Sequence, residues 1–310
     1  PAAGLSEAEM EMLARVIRTM KQNGLTILLI DHHMDFLADL VDDVVVLDAG
    51  QVIYRGDIDG MRKDQAVISA YLGIMIECID LSVNYGAVEA VRNVSFVAQS
   101  GKTTAILGAN GAGKSSILKA ISGIAPIKSG ELRLDNDPIN AVPAEKRASR
   151  GISHAMEGRR IFKHLTVRDN LDLAWRFGRR QIALEKGIRD IYDRFPILAE
   201  KANIPAGLLS GGQQQMVILS CATIQTPSHL LLDEPSLGLA PIIVTQIYDF
   251  ISEFARESGT TVIIAEQMAT MALKVADYGY VMRSGKIVME GSSAELKRDG
   301  INQTLSASYL

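Results

Sequence analysis

Residues 108–115 read GANGAGKS. Gly108, Gly111 and Gly113 leave the backbone free to curl until successive N–H groups face one point. The helix that starts near Lys114 turns its positive dipole end toward the same point. Such a nest suits a phosphate group. Lys114 can reach the β- and γ-phosphates of a nucleotide, and the Ser115 hydroxyl is a hard oxygen donor for Mg²⁺. Contacts to the nucleotide are expected from Gly108, Asn110, Gly111, Gly113, Lys114, Ser115 and Ser116. A second group is LLLDE, 230–234. Asp233 is placed to hold Mg²⁺ through a water. Glu234 can take a proton from an attacking water, an action worth about 10²–10⁴ in rate. The plain alternative is a pair of solvated carboxylates, and it weakens once the Lys114 loop stands in the same chain. A third group is LSGGQQQ, 209–215. Ser210, Gly211, Gly212 and Gln213 open a helix with exposed N–H groups, again suited to phosphate. An ordinary serine N-cap with flexible glycines is the alternative.

These residues need elements to hold them. AILG (105–108) supplies a strand before the glycine loop and SSILKAISG supplies a helix after it, the context such a loop requires. Leu230, Leu231 and Leu232 form an apolar run that reads as a buried central strand. The chain has 310 residues, 47% of them hydrophobic, enough for one large or two ordinary cores. A net charge of −4 gives no basic field for nucleic acid. Cys78 and Cys221 have no metal-type spacing and read as small buried side chains. Apolar runs such as TILLI, HLLL and TVIIA fall far short of the ~20 residues of a membrane helix. A membrane role, if there is one, must therefore come through a partner.

The chain also repeats itself unequally. PAAGL at 1–5 returns as PSLGL at 235–239, from Pro1 to Pro235. After a one-residue slip, Gly24 matches Gly259, Asp31-His32 matches Glu266-Gln267, and Asp42 matches Asp277. Gly50 then matches Gly285, and Gly56 matches Gly291. TILLID (26–31) and TVIIAE (261–266) both read as buried strands. Helices are expected near 7–22 and 241–257. After each strand come a helix and two strands about a glycine turn, VVVLDAGQVIYRG and GYVMRSGKIVMEG. The expected division is 1–73, the C-terminal part of one unit, and 74–310, a complete unit.

The three motifs, in this order, resemble the ATP-binding cassette (ABC) ATPases. The resemblance implies an α/β, P-loop NTPase fold of the ABC type. Its parts are a mixed core sheet with flanking helices, an antiparallel β subdomain and a helical subdomain about 157–222. It implies ATP and Mg²⁺ at the site, and hydrolysis oriented by Glu234 and Gln267 with Mg²⁺ on Ser115 and Asp233. Tyr85 stands where the family stacks an aromatic on adenine, and Glu157 stands in the coupling loop between core and helical lobe. Two cassettes would sandwich two nucleotides, so Ser210, Gly211, Gly212 and Gln213 would touch the ATP held by a partner cassette, in a homo- or heterodimer. Arg159, Arg160 and Phe162 are candidates for passing closure to a membrane subunit.

The finer resemblance is to the ATP-binding subunits of branched-chain amino acid importers. It rests on EGRRIF (157–162), LTVRDNL (165–171), LSGGQQQM (209–216) and DEPSLGLAP (233–241). Residues 1–73, with LLIDHHM and VISAYLG, are similar to the last third of the companion subunit. The partners implied are integral membrane permease subunits and, indirectly, a substrate-binding protein. The place implied is the cytoplasmic face of the inner or plasma membrane, held peripherally, without nucleic acid.

The sequence departs from many cassettes at four places. Glu157 replaces Gln, Gln267 replaces a switch His, Ala240 replaces Asp, and SCATIQTP lacks an Arg after the signature helix. Gln267 can hydrogen-bond a γ-phosphate or water but carries no proton charge. His32 would be the switch residue of the first copy. That copy lacks its own phosphate loop, signature and acid pair. The chain is thus expected to be a fragment of a tandem two-cassette protein, or a junction of two reading frames. Three other readings stand beside importer ATPase. One is a catalytically silent cassette acting as a binding module. Another is an importer for urea or amides. The third is a cassette acting on nucleic acid, which would need a charged insertion or basic tail that the sequence does not have.

Overall fold

The computed structural model describes residues 7–31, 36–37, 40–48, 50–64, 67 and 75–298. The PAAGL segment and His32 lie outside the described residues. So do much of the stretch after residue 31 where a helix was expected, and the residues about 71–74 where the two copies were expected to meet. The chain divides into two compact units, Pro1–Leu72 and Gly73–Leu310.

In the first unit, α1 (Glu7–Gln22) buries Ala14 and Ile17 against Leu40, with Leu13, Leu29, Phe36 and Val41 packed around them. The strands β1 (Val44–Asp48) and β2 (Gln51–Gly56) pair antiparallel about Gly50, with an irregular register between Val46 and Leu47. Helix α2 (Ile58–Lys63) starts at Asp57, whose carboxylate accepts the Gly60 N–H at 2.6 Å, and packs Met61 on Val46 and Val67. Residues 26–31 do not form the expected buried strand. They have no strand pairing, and Leu28 and Ile30 are 89% and 84% exposed. Their counterpart at 261–266 is wholly buried because strands flank it on both sides; none flanks 26–31 among the described residues.

The second unit holds two sheets. The antiparallel one runs in the order β4 (Val88–Ala98), β3 (Ile76–Tyr85), β6 (Ile127–Leu134), β7 (Asp137–Pro138). The core sheet has the order β12-β11-β5-β10-β9-β8. Its strands are β5 (Thr103–Gly108), β8 (Ile152–Ala155), β9 (His229–Asp233), β10 (Thr261–Glu266), β11 (Tyr278–Arg283) and β12 (Lys286–Ser292). It is mixed: only β12 runs against its neighbour. Around it lie α3 (Lys114–Ile121), α4 (Ala144–Ser149), α5 (Val167–Phe177), α6 (Leu184–Arg194), α7 (Pro196–Glu200) and α8 (Gly211–Thr223). They continue with α9 (Pro241–Ser258), α10 (Ala269–Val275) and α11 (Ser293–Arg298).

The period-two alternation of the central strands explains the layers. Leu230, Leu232, Val262 and Ile264 point to one core, shared with α5, α6, α8 and α9. Leu231, Ile263 and Ala265 point to another, shared with α3 and the antiparallel sheet. Each fully buried aliphatic chain contributes about 1.5–3 kcal/mol, so strands apolar on both faces belong at the centre. Their C-terminal ends, at Gly108, Asp233 and Glu266, lie side by side because the pairing is parallel and in register. That edge is where the predicted chemistry converges. Among the described residues no helix is long and apolar enough to cross a membrane.

Candidate active site

The glycine loop leaves β5 at Gly108 and enters α3 at Lys114. Two of its glycines are required by close approach. A Cβ on Gly108 would lie 2.6 Å from the Met282 carbonyl oxygen. Gly113 has φ +108, and a Cβ there would lie 2.5 Å from the Ala90 oxygen. Along the loop the first main-chain bond of α3 runs from Ile117 N–H to Gly113 O. The N–H groups of Lys114, Ser115 and Ser116 find no acceptor among the described residues. These are the orphan donors of a helix start, and they suit an anion.

Lys114 is 4% exposed. Its Nζ donates to Gly108 O at 2.9 Å and to Ala109 O at 3.1 Å, and pairs with Glu234 Oε1 at 2.9 Å. Ser115 Oγ donates to Asp233 Oδ1 at 2.8 Å. Asp233 Oδ2 is buried without a hydrogen-bond partner. A hydroxyl and a half-satisfied carboxylate are the hard oxygen donors that Mg²⁺ takes when substrate phosphates complete its shell. Among the described residues no cluster of three His, Cys, Asp or Glu could hold a metal. Ser115 and Asp233 could hold a Mg²⁺ that a nucleotide brings with it.

Burial pushes Asp233 above the ordinary carboxylate range, and the Glu157 charge adds to it, against the Ser115 hydrogen bond. Glu157 is thus electrostatically in touch with the site although its side chain is exposed. Burial also raises Glu234, against the pull of Lys114, and the Glu266 charge raises it further. Glu234 holds φ +49, a left-handed backbone that costs a residue with a Cβ about 1–3 kcal/mol. Its N–H is tied to Ala265 O at 2.9 Å. Tyr85 ends β3 with its side chain 44% exposed, at the tip of the hairpin whose β4 strand brings Ala90 against Gly113. Gln267 follows β10, and its backbone N–H lies close enough to Glu234 to favour the charged carboxylate.

The signature residues stand apart. Among the described residues, no hydrogen bond or ion pair joins 210–213 to the Lys114 loop. Ser210 caps α8: its Oγ accepts from Gln213 N–H at 3.4 Å, and Gln213 Oε1 accepts from Ser210 N–H at 3.1 Å. The glycines have packing reasons as well. A Cβ on Gly211 would lie 2.7 Å from the Arg159 guanidinium, and one on Gly212 would lie 2.9 Å from the Ile243 side chain. Sequence reasoning missed Ser236, Tyr248 and Glu266, all buried close to Glu234 and Gln267. Only the adjacency of Glu266 to Gln267 in TVIIAEQ pointed there.

Comparison with known proteins agrees with this geometry. Residues 91–237 match the ABC transporter family. The chain is 39% identical over 225 residues to the high-affinity branched-chain amino acid transport ATP-binding protein BraG of Pseudomonas aeruginosa, covering 72% of this chain and 94% of that protein. It is 31% identical over 222 residues to the probable branched-chain amino acid transport ATP-binding protein LivF of Archaeoglobus fulgidus, covering 72% of this chain and 94% of that one. The ribose import ATP-binding protein RbsA 1 of Rubrobacter xylanophilus is 27% identical over 323 residues, 97% of this chain but 64% of its own length. Among solved structures, an ATP-binding cassette of an ABC transporter in its ADP conformation superposes with TM-score 0.67 at 25% identity, over 76% of this chain and 98% of the other. The matched glycine loop, acid pair and sheet, with relatives aligned nearly end to end, place the chain in the ABC transporter ATP-binding family, as an ATPase of that type.

Proposed function

We propose that the chain is the ATP-hydrolysing subunit of an importer for branched-chain amino acids. The observation that carries this reading is the 39% identity to BraG over 94% of that protein's length. ABC cassettes work as dimers with membrane permease subunits. This chain would pair with a second cassette at the cytoplasmic face of the membrane, held there by the permease.

The hydrolytic roles follow from the site. The N–H groups at the start of α3 and the Lys114 ammonium orient the triphosphate. Ser115 and Asp233 would hold Mg²⁺, which would offset phosphate charge. Glu234, buried and raised, is a base of useful strength for the attacking water. Gln267 supplies a hydrogen-bonding amide beside it. Ser210, Gly211, Gly212 and Gln213 offer helix-start N–H groups to the nucleotide of the partner cassette, and their separation from the Lys114 loop supports that reading. Tyr85, exposed at a hairpin tip, is free to stack on the base.

We read the first unit as the C-terminal part of another cassette. The paired landmarks from Gly24 and Gly259 through Gly56 and Gly291 support it. So does the ribose-import relative, whose 97% coverage of this chain takes in both units. That relative also gives the second solute reading, ribose. The test is uptake of labelled leucine and of labelled ribose in cells lacking this chain and in cells given it back. Loss and recovery of leucine uptake, with ribose unchanged, is expected. Loss confined to ribose, or to urea or amides, would contradict the proposal.

A further inference from the structure

Glu266 ends β10 and is fully buried. Its Oε1 accepts from the Ser236 main-chain N–H at 3.2 Å and from the Ser236 hydroxyl. Its Oε2 accepts from the N–H groups of Gln267 at 2.9 Å and Met268 at 3.1 Å. Each oxygen thus serves a different loop. One loop carries Glu234 two residues before Ser236; the other begins with Gln267. The two loops are far apart in sequence and meet because β9 and β10 pair in parallel. The Tyr248 phenol, 2% exposed, lies near both Glu266 and Ser236, and its oxygen makes no hydrogen bond among the described residues. The Ser236 hydroxyl also touches Met268 Sδ at 3.7 Å, a second tie between the same loops.

We propose that Glu266 is a positioning residue for ATP hydrolysis, a two-oxygen bridge that fixes Glu234 and Gln267 relative to one another. The proposal rests on the hydrolytic roles given above to those two residues. A buried carboxylate survives only when its oxygens are satisfied, and here four donors converge on it. The bridge needs two acceptors. A glutamine offers one carbonyl oxygen and one NH₂ group. With its NH₂ toward Gln267 and Met268 it meets two N–H donors and releases that loop; turned the other way it loses the Ser236 N–H and keeps only the Ser236 hydroxyl, which then accepts. Glu266→Gln therefore removes one tie while keeping the side chain's size. Glu266 touches no reacting atom, so its loss should act on the turnover step and leave nucleotide binding in place.

The test uses the full chain. Steady-state MgATP turnover and equilibrium binding of a fluorescent ATP analogue are measured for wild type, Glu234→Gln, Glu266→Gln, Ser236→Ala and the Ser236→Ala/Glu266→Gln pair. Circular dichroism gives the folded fraction of each. The expected result is a fall in kcat of about tenfold to hundredfold for Glu266→Gln, the scale of a misplaced catalytic geometry. The dissociation constant should stay within about threefold of wild type. Ser236→Ala should fall less, and the pair should lose less than the product of the single losses, because both residues form one bridge. Wild-type kcat in Glu266→Gln while Glu234→Gln is inactive would overturn the proposal alone. A kcat loss matched by weaker binding or by a lower folded fraction, or strictly multiplicative losses, would also overturn it. Full turnover in Glu234→Gln would overturn the hydrolytic reading and the bridge together.

Discussion

Lys114 and Glu234 meet at 2.9 Å with both side chains almost wholly buried, so neither charge has water to fall back on. Breaking such a pair from one side strands the other charge and costs about 3–5 kcal/mol. Lys114→Met is therefore expected to lower the urea midpoint markedly, and adding Glu234→Gln should restore most of the loss. A midpoint unchanged in the single variant would contradict the buried-pair account. The strand–loop–helix around GANGAGKS was legible in the sequence because that geometry is local: a strand before the glycines and a helix after them. The acid pair was legible for the same reason, since three leucines announce a buried strand ending in Asp233-Glu234. The Glu266 bridge was not. Its partner Ser236 lies beyond the end of another strand, and only the parallel register of β9 and β10 brings the two together. The packing of Arg159 over Gly211 was hidden likewise, because glycine in LSGGQ could be read only as freedom and not as close contact.

At the scale of elements, β8 carries His154 against the end of α3. His154 Nδ1 lies 3.0 Å from Ser122 Oγ, and its Nε2 is buried without a partner. Burial, with the Lys119 and Arg160 charges, lowers the imidazole to about 4. A base depressed in the folded state adds stability above its ordinary value of 6.5 and loses it as pH falls through the window from 6.5 to about 4. At about 1.4 kcal/mol per pH unit, the loss approaches about 3 kcal/mol by pH 4. Urea midpoints of wild type should fall across that window, and His154→Gln should show a shallower fall. Equal slopes would contradict the assignment. Helix boundaries were well read in advance: the helices expected near 7–22 and 241–257 are Glu7–Gln22 and Pro241–Ser258. The strand at 26–31 was misread because its pattern matches 261–266 almost residue for residue, whereas burial is conferred by neighbouring strands. Pattern alone cannot supply those neighbours.

At the scale of the whole molecule, the two units differ in what they can do. Every residue of the phosphate loop, acid pair and signature belongs to the second unit. The first unit carries instead an exposed apolar segment with Leu28 and Ile30 outermost. Exposed apolar segments with unused backbone groups invite association. Leu28→Lys with Ile30→Lys is expected to reduce light scattering by concentrated protein and to leave MgATP turnover unchanged. Scattering that stays the same would mean the segment is not the sticky surface. The fold class was read correctly from motif order, and the layers follow from the alternating central strands. The solute was out of reach of both sequence and geometry, since no described side chain of the site is specific to anything beyond a nucleotide. Family membership narrows it, and uptake decides it.

ATP hydrolysis at the Lys114–Glu234 site underlies every functional role proposed for this chain. The most direct test is steady-state MgATP turnover of wild type against Glu234→Gln, with nucleotide binding measured on both. Wild type should turn over, the variant should lose about 10²–10⁴ in kcat, and both should bind nucleotide. Equal turnover in the two proteins would contradict it.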